Sequence, residues 1–456
     1  MRARLLVPLT LTLACTPDAG DDAGAGSSTG WDASSFGTGS ATAAEPTTTA
    51  GSSTSATGEP ATTDADPTTG GPAELDDEAL LRQAIAGEVD AAGAVRTIAD
   101  RGGFPVETAT GSFLFACLCG QGAWALAGDH NGWAPAPMQQ AGPLWWIEAD
   151  VPAPDGSLYK FHEPGQALWI ADPHGRRYGF DDFGRYSLVR ASAAHLERWY
   201  AIDGADLGLA PRDLQVYVPA GGAFSHALYV HDGQNLFDPD AFWGGWRLQE
   251  TVPPDLLIVG IDNVPVDRMS DYTHVPDDIG GGRPVGGEGE AYAELVDAVI
   301  RPRMEAAYGP AAVVGTMGSS LGGLISLVIA DLYPARYDMA ISLSGTLGWG
   351  SIGLDNETML ERYAAAGKRE FSIYLDSGGG GACADLDMDG VDDDTDASDN
   401  YCENLQMSGI LQQLGYTPDV DLFYVHDPDA LHNEAAWAAR VDVPLALFAD
   451  LPADVP

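Results

Sequence analysis

Ala312-Val313-Val314-Gly315-Thr316-Met317-Gly318-Ser319-Ser320-Leu321-Gly322-Gly323, continuing to Leu332, is the stretch on which the fold turns. Residues 312–315 read as a short buried strand and 321–332 as an apolar helix, and the bend between them carries G-x-S-x-G with Ser320 at its centre. The glycines permit a tight backbone, and a helix start behind the serine favours negative charge developing beside it. Context separates this motif from coincidence. Gly26-Ser27-Ser28-Thr29-Gly30 fits the same pattern but has neither a strand before it nor a helix after it. Ser320 is the candidate nucleophile.

The alternation continues on both sides. Strands are expected over 214–218, 227–230, 256–261, 339–343, 371–375 and 420–425, with helices over 290–308, 400–414 and 432–441 between them. Apolar runs alternating with helices imply an α/β fold with a mainly parallel sheet covered on both faces, and chemistry beyond the carboxyl ends of its strands. A serine hydroxyl needs a base, and the base needs an orienting acid. In this fold the order is serine, acid, histidine, and only His426 and His432 follow Ser320. His426 ends the final strand, whereas His432 lies in the loop beyond it and is the better base.

Composition narrows the function classes. The 456 residues hold 22 Lys+Arg against 67 Asp+Glu, a net charge of -45, which excludes nucleic acid as a partner and disfavours anionic membrane surfaces. No run of 18 apolar residues is present to span a bilayer. Arg2 and Arg4 precede an apolar stretch ending at Cys15, the order of an export signal. Thr12-Leu13-Ala14-Cys15 resembles a bacterial lipoprotein processing site, which would make Cys15 a lipid anchor; an ordinary signal peptide over 1–15 is the alternative. Residues 16–73 are Ser, Thr, Gly, Ala and Pro with scattered acids, too polar to offset their ordering entropy, and read as a disordered tether about 40 Å long. Short helices follow over 74–104, broken around Gly87, then a small β-sandwich over 105–195, and the α/β domain over 205–452.

Within the sandwich, Gly128-Asp129-His130-Asn131-Gly132-Trp133, Trp145-Trp146, Tyr159-Lys160-Phe161, Trp169 and Ala171-Asp172-Pro173 resemble the early-set (E-set), immunoglobulin-like modules of glycogen-handling enzymes and enterochelin-type esterases. Some members of that family stack aromatics on sugar rings, so the resemblance makes a glycan a candidate partner here, against a purely packing role. In the larger domain, His231-Asp232-Gly233-Gln234-Asn235-Leu236-Phe237, Gly260-Ile261-Asp262-Asn263, Arg268, Asp271-Tyr272-Thr273, Gly318 to Gly323, and His432-Asn433-Glu434 with Trp437 resemble the "putative esterase" family of enterochelin esterases, feruloyl esterases, S-formylglutathione hydrolases and mycolyltransferases. The resemblance implies an α/β-hydrolase fold and a serine triad that needs no catalytic cofactor. It also implies an oxyanion hole from the backbone N–H groups of Leu321 and Gln234, each donor worth about 3 kcal/mol of barrier.

The acid departs from the family pattern. No carboxylate stands between Ser377 and Gly381, where relatives often carry one, and an acidic insertion follows. Asp376, Asp385 and Asp399 stay open. Counting backwards from the helix near Asn404 favours Asp399, whose alternative role is a helix N-cap. Inside the insertion, Asp385, Asp387, Asp389, Gly390, Val391, Asp393 and Asp396 fall at positions 1, 3, 5, 6, 7, 9 and 12 of a D-x-D-x-D-G loop, a pattern that surrounds a calcium ion with hard oxygen ligands. It resembles the calcium loops of dockerins and thrombospondin type-3 repeats, with a solvated acidic loop as the plain alternative. Cys383 and Cys402 bracket it and are expected to pair; Cys117 and Cys119, two apart, are left open.

These readings converge on an exported, surface-tethered serine esterase acting through Ser320, His432 and Asp399 on small-molecule or polysaccharide-linked esters, with feruloyl, acetyl and siderophore esters all open. An acyltransferase on the same fold and a non-catalytic glycan-binding surface protein are the alternatives.

Overall fold

Residues 75–280, 282–394 and 398–453 are described by a computed structural model. The export-signal segment, Cys15, the tether expected over 16–73 and Asp396 lie outside them. No described helix is long and apolar enough to cross a membrane.

Six strands run parallel in the order Leu422–Asp427, Ser372–Gly378, Met339–Leu343, Val313–Ser319, His226–His231 and Leu256–Ile261. Their apolar sequences are legible as parallel strands because both faces are covered; every residue of Val313–Ser319 is buried. On one face, Leu324 and Leu327 of the helix Leu321–Leu332 share a core with Tyr292, Met359 and Met407. On the other, Trp437, Leu445 and Phe448 pack with Leu236 and Trp246. The sheet with its two helical layers is the α/β-hydrolase arrangement, and it brings the carboxyl ends of four neighbouring strands to one edge, where Asp232, Ser320, Ser344 and Asp376 lie.

Strand Leu209–Val218 adds antiparallel to Leu256–Ile261, and His195–Gly204 adds to Leu209–Val218 and to Arg177–Asp181. The sheet therefore runs without a break into the amino-terminal β-structure. A second sheet, built on Phe113–Cys117 and Leu144–Ala149, faces it across Phe113, Phe115, Trp124, Leu126, Tyr159 and Phe161. Helices Asp77–Ala86 and Ala91–Arg101 start at Asp76 and Asp90, whose carboxylates accept amide protons of the first turn, and cover that sheet's outer face with Leu81, Val95 and Ile98. The break expected around Gly87 is there, with Gly87 at φ 76°.

Three elements differ from expectation. The single helix expected over 290–308 is two α-helical pieces, Gly289–Glu294 and Arg301–Tyr308, joined by the π-helical turn Leu295–Ile300. Pro302 lacks an amide proton and its ring crowds the turn before it, which accounts for the widening. The helix expected over 432–441 is confined to Glu434–Ala438, with His432 left in the loop, and a separate helix Asp442–Ala449 follows. A helix at Met359–Ala366, not expected, begins with a reciprocal cap in which Thr358 accepts from the Glu361 amide while Glu361 accepts from Thr358.

Candidate active site

The turn at Ser320 has φ 56° and ψ -123°, a conformation that non-glycine residues adopt rarely and that functional sites hold by surrounding contacts. Here the Ser320 amide donates to the Leu343 carbonyl at 2.9 Å, and the Ser320 carbonyl accepts from the Gly323 and Leu324 amides. The neighbouring glycines are needed for closeness. A Cβ on Gly318 would lie 2.6 Å from the Gly322 carbonyl carbon, and one on Gly323 would lie 2.5 Å from Ser342 Oγ. The turn lifts Ser320 Oγ to the edge of the sheet, 3.4 Å from Thr346 Oγ1.

His432 reaches the same point from the far end of the chain. Its Nε2 lies 2.9 Å from Ser320 Oγ and its Nδ1 lies 2.7 Å from Asp399 Oδ1. Asn433, the next residue, caps Glu434–Ala438 by accepting from the Ala436 amide, and Trp437 one turn on sets its ring edge-on to the His432 imidazole. Asp399 is fully buried. Its Oδ2 accepts from Ser344 Oγ at 2.6 Å and from Arg440 Nη2 at 2.9 Å. The helix Tyr401–Gln413 starts at Asn400, so Asp399 is not its cap. Of the other acid candidates, Asp376 lies one layer behind, bonded to Arg440 and to the Ser344 amide. Asp385 is out in the exposed acidic loop, where its carboxylate accepts from the Asp389 and Gly390 amides, and does not approach His432. His426 instead meets the Gly379 carbonyl and stacks on Tyr401.

Gln234 sits in the short turn Gly233–Asn235 after the strand His226–His231. Among the described residues, neither its amide nor that of Leu321 donates to a protein acceptor. The turn is fastened by the residues that carry the family resemblance. Arg268 grips both Asp232 carboxylate oxygens at 2.9 and 2.7 Å, and Asn263 Nδ2 donates to Asp232 Oδ1 while its backbone amide donates to Gln234 Oε1. Burial opposes ionisation of Asp232, but the Arg268 guanidinium beside it prevails and holds its carboxyl below the usual range. Asn235 Nδ2 reaches Glu434 Oε1, tying this turn to the helix behind His432.

In the acidic loop, carboxylate oxygens of Asp385, Asp387 and Asp393 come within 4.8 Å of one another. Gly390 bends the loop at φ 93°, and Asp393 closes it by accepting from the Leu386 amide. Asp389 is not part of this convergence; its Oδ1 accepts from the Val391 amide, and Val391 itself is partly buried against the core. Cys383 and Cys402 are joined, and so are Cys117 and Cys119, which the sequence left open.

A family model described as "Putative esterase" matches residues 210–447, more than half of the chain. The chain belongs to this esterase family. Every site residue described above except those of the amino-terminal module lies within the matched span. Over 135 residues the chain is 30% identical to the uncharacterized protein YbbA of Bacillus subtilis (strain 168), a match covering 28% of this chain and 53% of that protein. The chain thus spans about half the length of the curated relative it matches. Similar solved structures include the enterobactin esterase FES of Shigella flexneri, 15% identical over 74% of this chain and 93% of that one with a TM-score of 0.39. An IroE-like serine hydrolase of Shewanella oneidensis is 18% identical over 56% of this chain and 81% of that one, with a TM-score of 0.43.

Three residues around the esterase site carry no signal in the sequence. Ser344 and Thr346 follow a strand in an unremarkable Ser-Gly-Thr, and Arg440 lies in the turn between the helices Glu434–Ala438 and Asp442–Ala449. Only their convergence in space on Asp399 and Ser320 marks them.

Proposed function

We propose that the chain is a serine carboxylic-ester hydrolase working through Ser320, His432 and Asp399. The unbroken line of hydrogen bonds from Ser320 Oγ through the imidazole to a buried carboxylate carries this reading. Ser320 Oγ attacks the ester carbonyl carbon as its proton passes to His432 Nε2, and the carbonyl oxygen becomes an oxyanion facing the amides of Leu321 and Gln234. Collapse expels the alcohol, which takes the proton from His432. Water then attacks the acyl-serine with His432 again as base, releasing the acid and restoring Ser320. Asp399 orients the imidazole and stabilises its charged form. Fluorophosphonate labelling tests the reading: modification at Ser320, lost in Ser320→Ala, supports the enzyme, and a folded protein that does not label supports a binding role. Feruloyl and acetyl polysaccharide esters and siderophore-type esters form the substrate panel, with acyl transfer to an added alcohol as a side outcome.

We further propose that the amino-terminal module is an E-set domain that holds glycan. A cavity of about 550 Å³ is lined by Trp133, Trp169, Phe183, Leu158, Lys160 and Asp181, with the three aromatic rings exposed and the Lys160 Nζ donating to the Phe183 carbonyl at 2.7 Å. Pull-down on insoluble α-glucan, lost in Trp169→Ala, checks it. The acidic loop fits a structural calcium ion held by Asp385, Asp387 and Asp393, which would relieve the repulsion among these carboxylates. Two disulfides agree with an exported protein, and a lipid on Cys15 is the proposed anchor.

A further inference from the structure

We infer that Arg440 is a positioning residue which, through Ser344, divides one positive charge between two buried carboxylates and thereby sets the pH range in which His432 acts as base. The inference rests on the serine-hydrolase reading above.

Asp376 and Asp399 are both fully buried, and they converge on the same two groups. Arg440 Nη2 lies 2.9 Å from Asp399 Oδ2 and 3.0 Å from Asp376 Oδ1. Ser344 makes the other connection. Its amide donates to Asp376 Oδ1 at 3.0 Å, while its Oγ accepts from Arg440 Nη2 and Trp437 Nε1 and donates its one proton to Asp399 Oδ2. Ser344 holds φ 48°, left-handed for a non-glycine residue, and this backbone bend is what lets amide and hydroxyl serve different carboxylates.

Two carboxylates in one dry site repel, and a single guanidinium must compensate both. Asp399 faces His432 and Arg440 from the segments around Glu434–Ala438, Asp376 from the adjacent strand and Asp394 from its own loop; Asp376 faces Tyr374 and Tyr424 besides Arg440. Burial pushes the Asp376 carboxyl up, with Arg440 pulling against it, so the charge reaching His432 depends on how much of Arg440 the rear carboxylate takes. Removing Arg440 leaves surplus negative charge behind the imidazole, favours its protonated form and raises the acid limb of the pH profile. Removing the Asp376 charge frees Arg440 for Asp399 and lowers it.

The test is the pH dependence of kcat/KM for p-nitrophenyl acetate. Arg440→Met is expected to raise the acid limb by about one pH unit and lower kcat about tenfold at pH 7 with KM little changed. Asp376→Asn is expected to lower the limb by about half a unit. The double variant returns close to wild type, because the two groups act through one charge balance. Arg440→Lys, keeping the charge while losing one contact, falls between wild type and Arg440→Met. Single-variant shifts in the same direction, no shift, or a double variant no nearer wild type than Arg440→Met would overturn the inference. Should Arg440→Met not fold, the sign of the Asp376→Asn shift decides alone. Hydrolysis that survives Ser320→Ala sinks the serine reading itself, whatever Arg440 does.

Discussion

Gly318 shows how closely the turn that carries Ser320 depends on one absent methyl group. Its missing Cβ leaves room for the Gly322 carbonyl, and that approach lets the helix begin directly behind Ser320. Gly318→Ala should therefore cost about 1–3 kcal/mol of stability and lower kcat far more than KM, measured by thermal melting alongside ester hydrolysis. The acid offers a sharper comparison. Asp399→Asn should reduce kcat by about 10⁴, while Asp385→Asn leaves it at the wild-type level, since of the two only Asp399 bonds the His432 imidazole of the proposed triad. Ser320 and His432 were legible in the sequence because each is announced by its neighbours, an elbow in one case and a loop beyond the last strand in the other. Asp399 was reachable only by counting from the helix behind it. Arg440 and Ser344 were not reachable, because contact across 96 positions leaves no local pattern.

At the scale of elements, the segment from Gly378 to the helix Tyr401–Gln413 brings Asp399 to His432. It is held by the Cys383–Cys402 bridge, by Asn400 Nδ2 on the Ser344 carbonyl, and by Asn404 Nδ2 on the Gly345 carbonyl. Opening the bridge in Cys383→Ser/Cys402→Ser should cost about 3 kcal/mol and lower kcat by loosening Asp399. The helix also carries Glu403, buried against the Gly348 amide, and burial pushes its carboxyl up to about 8 from 4.5. A carboxyl raised on folding binds its proton more tightly in the folded chain. Its contribution is complete below pH 4.5 and lost as pH climbs to about 8, on the order of 5 kcal/mol in all. Glu403→Gln should flatten that decline and melt higher than wild type at pH 8, as urea midpoints across the range would record. Parallel strands were the most legible elements, being continuous apolar runs. The π-helical turn and the helix Met359–Ala366 escaped notice although Pro302 and the Thr358–Glu361 cap were in plain view, since a proline and a cap each fit several local outcomes.

Across the molecule, hydrogen bonding is continuous from the parallel strands through Leu209–Val218 and His195–Gly204 into the amino-terminal β-structure. Arg176 reinforces this seam. Buried and stacked on Trp199, it donates to the Arg198 carbonyl on one side and to the Ala99 carbonyl of the amino-terminal helices on the other. Sequence alone divided this region at about residue 200, because the change from short strands with turns to alternating strands and helices is visible whereas a strand pairing on both its edges is not. The consequence is thermodynamic. If the seam transmits stability, calorimetry should give one cooperative transition for the described region, and Arg176→Met, which strands two buried carbonyls, should shift that whole transition by about 2–4 kcal/mol. A chain beginning at Leu209 should expose the edge now covered by His195–Gly204 and associate through it. Two separated transitions, with Arg176→Met moving only the first, would mean instead that the β-structure and the esterase domain fold independently and that their shared sheet is a contact between finished parts.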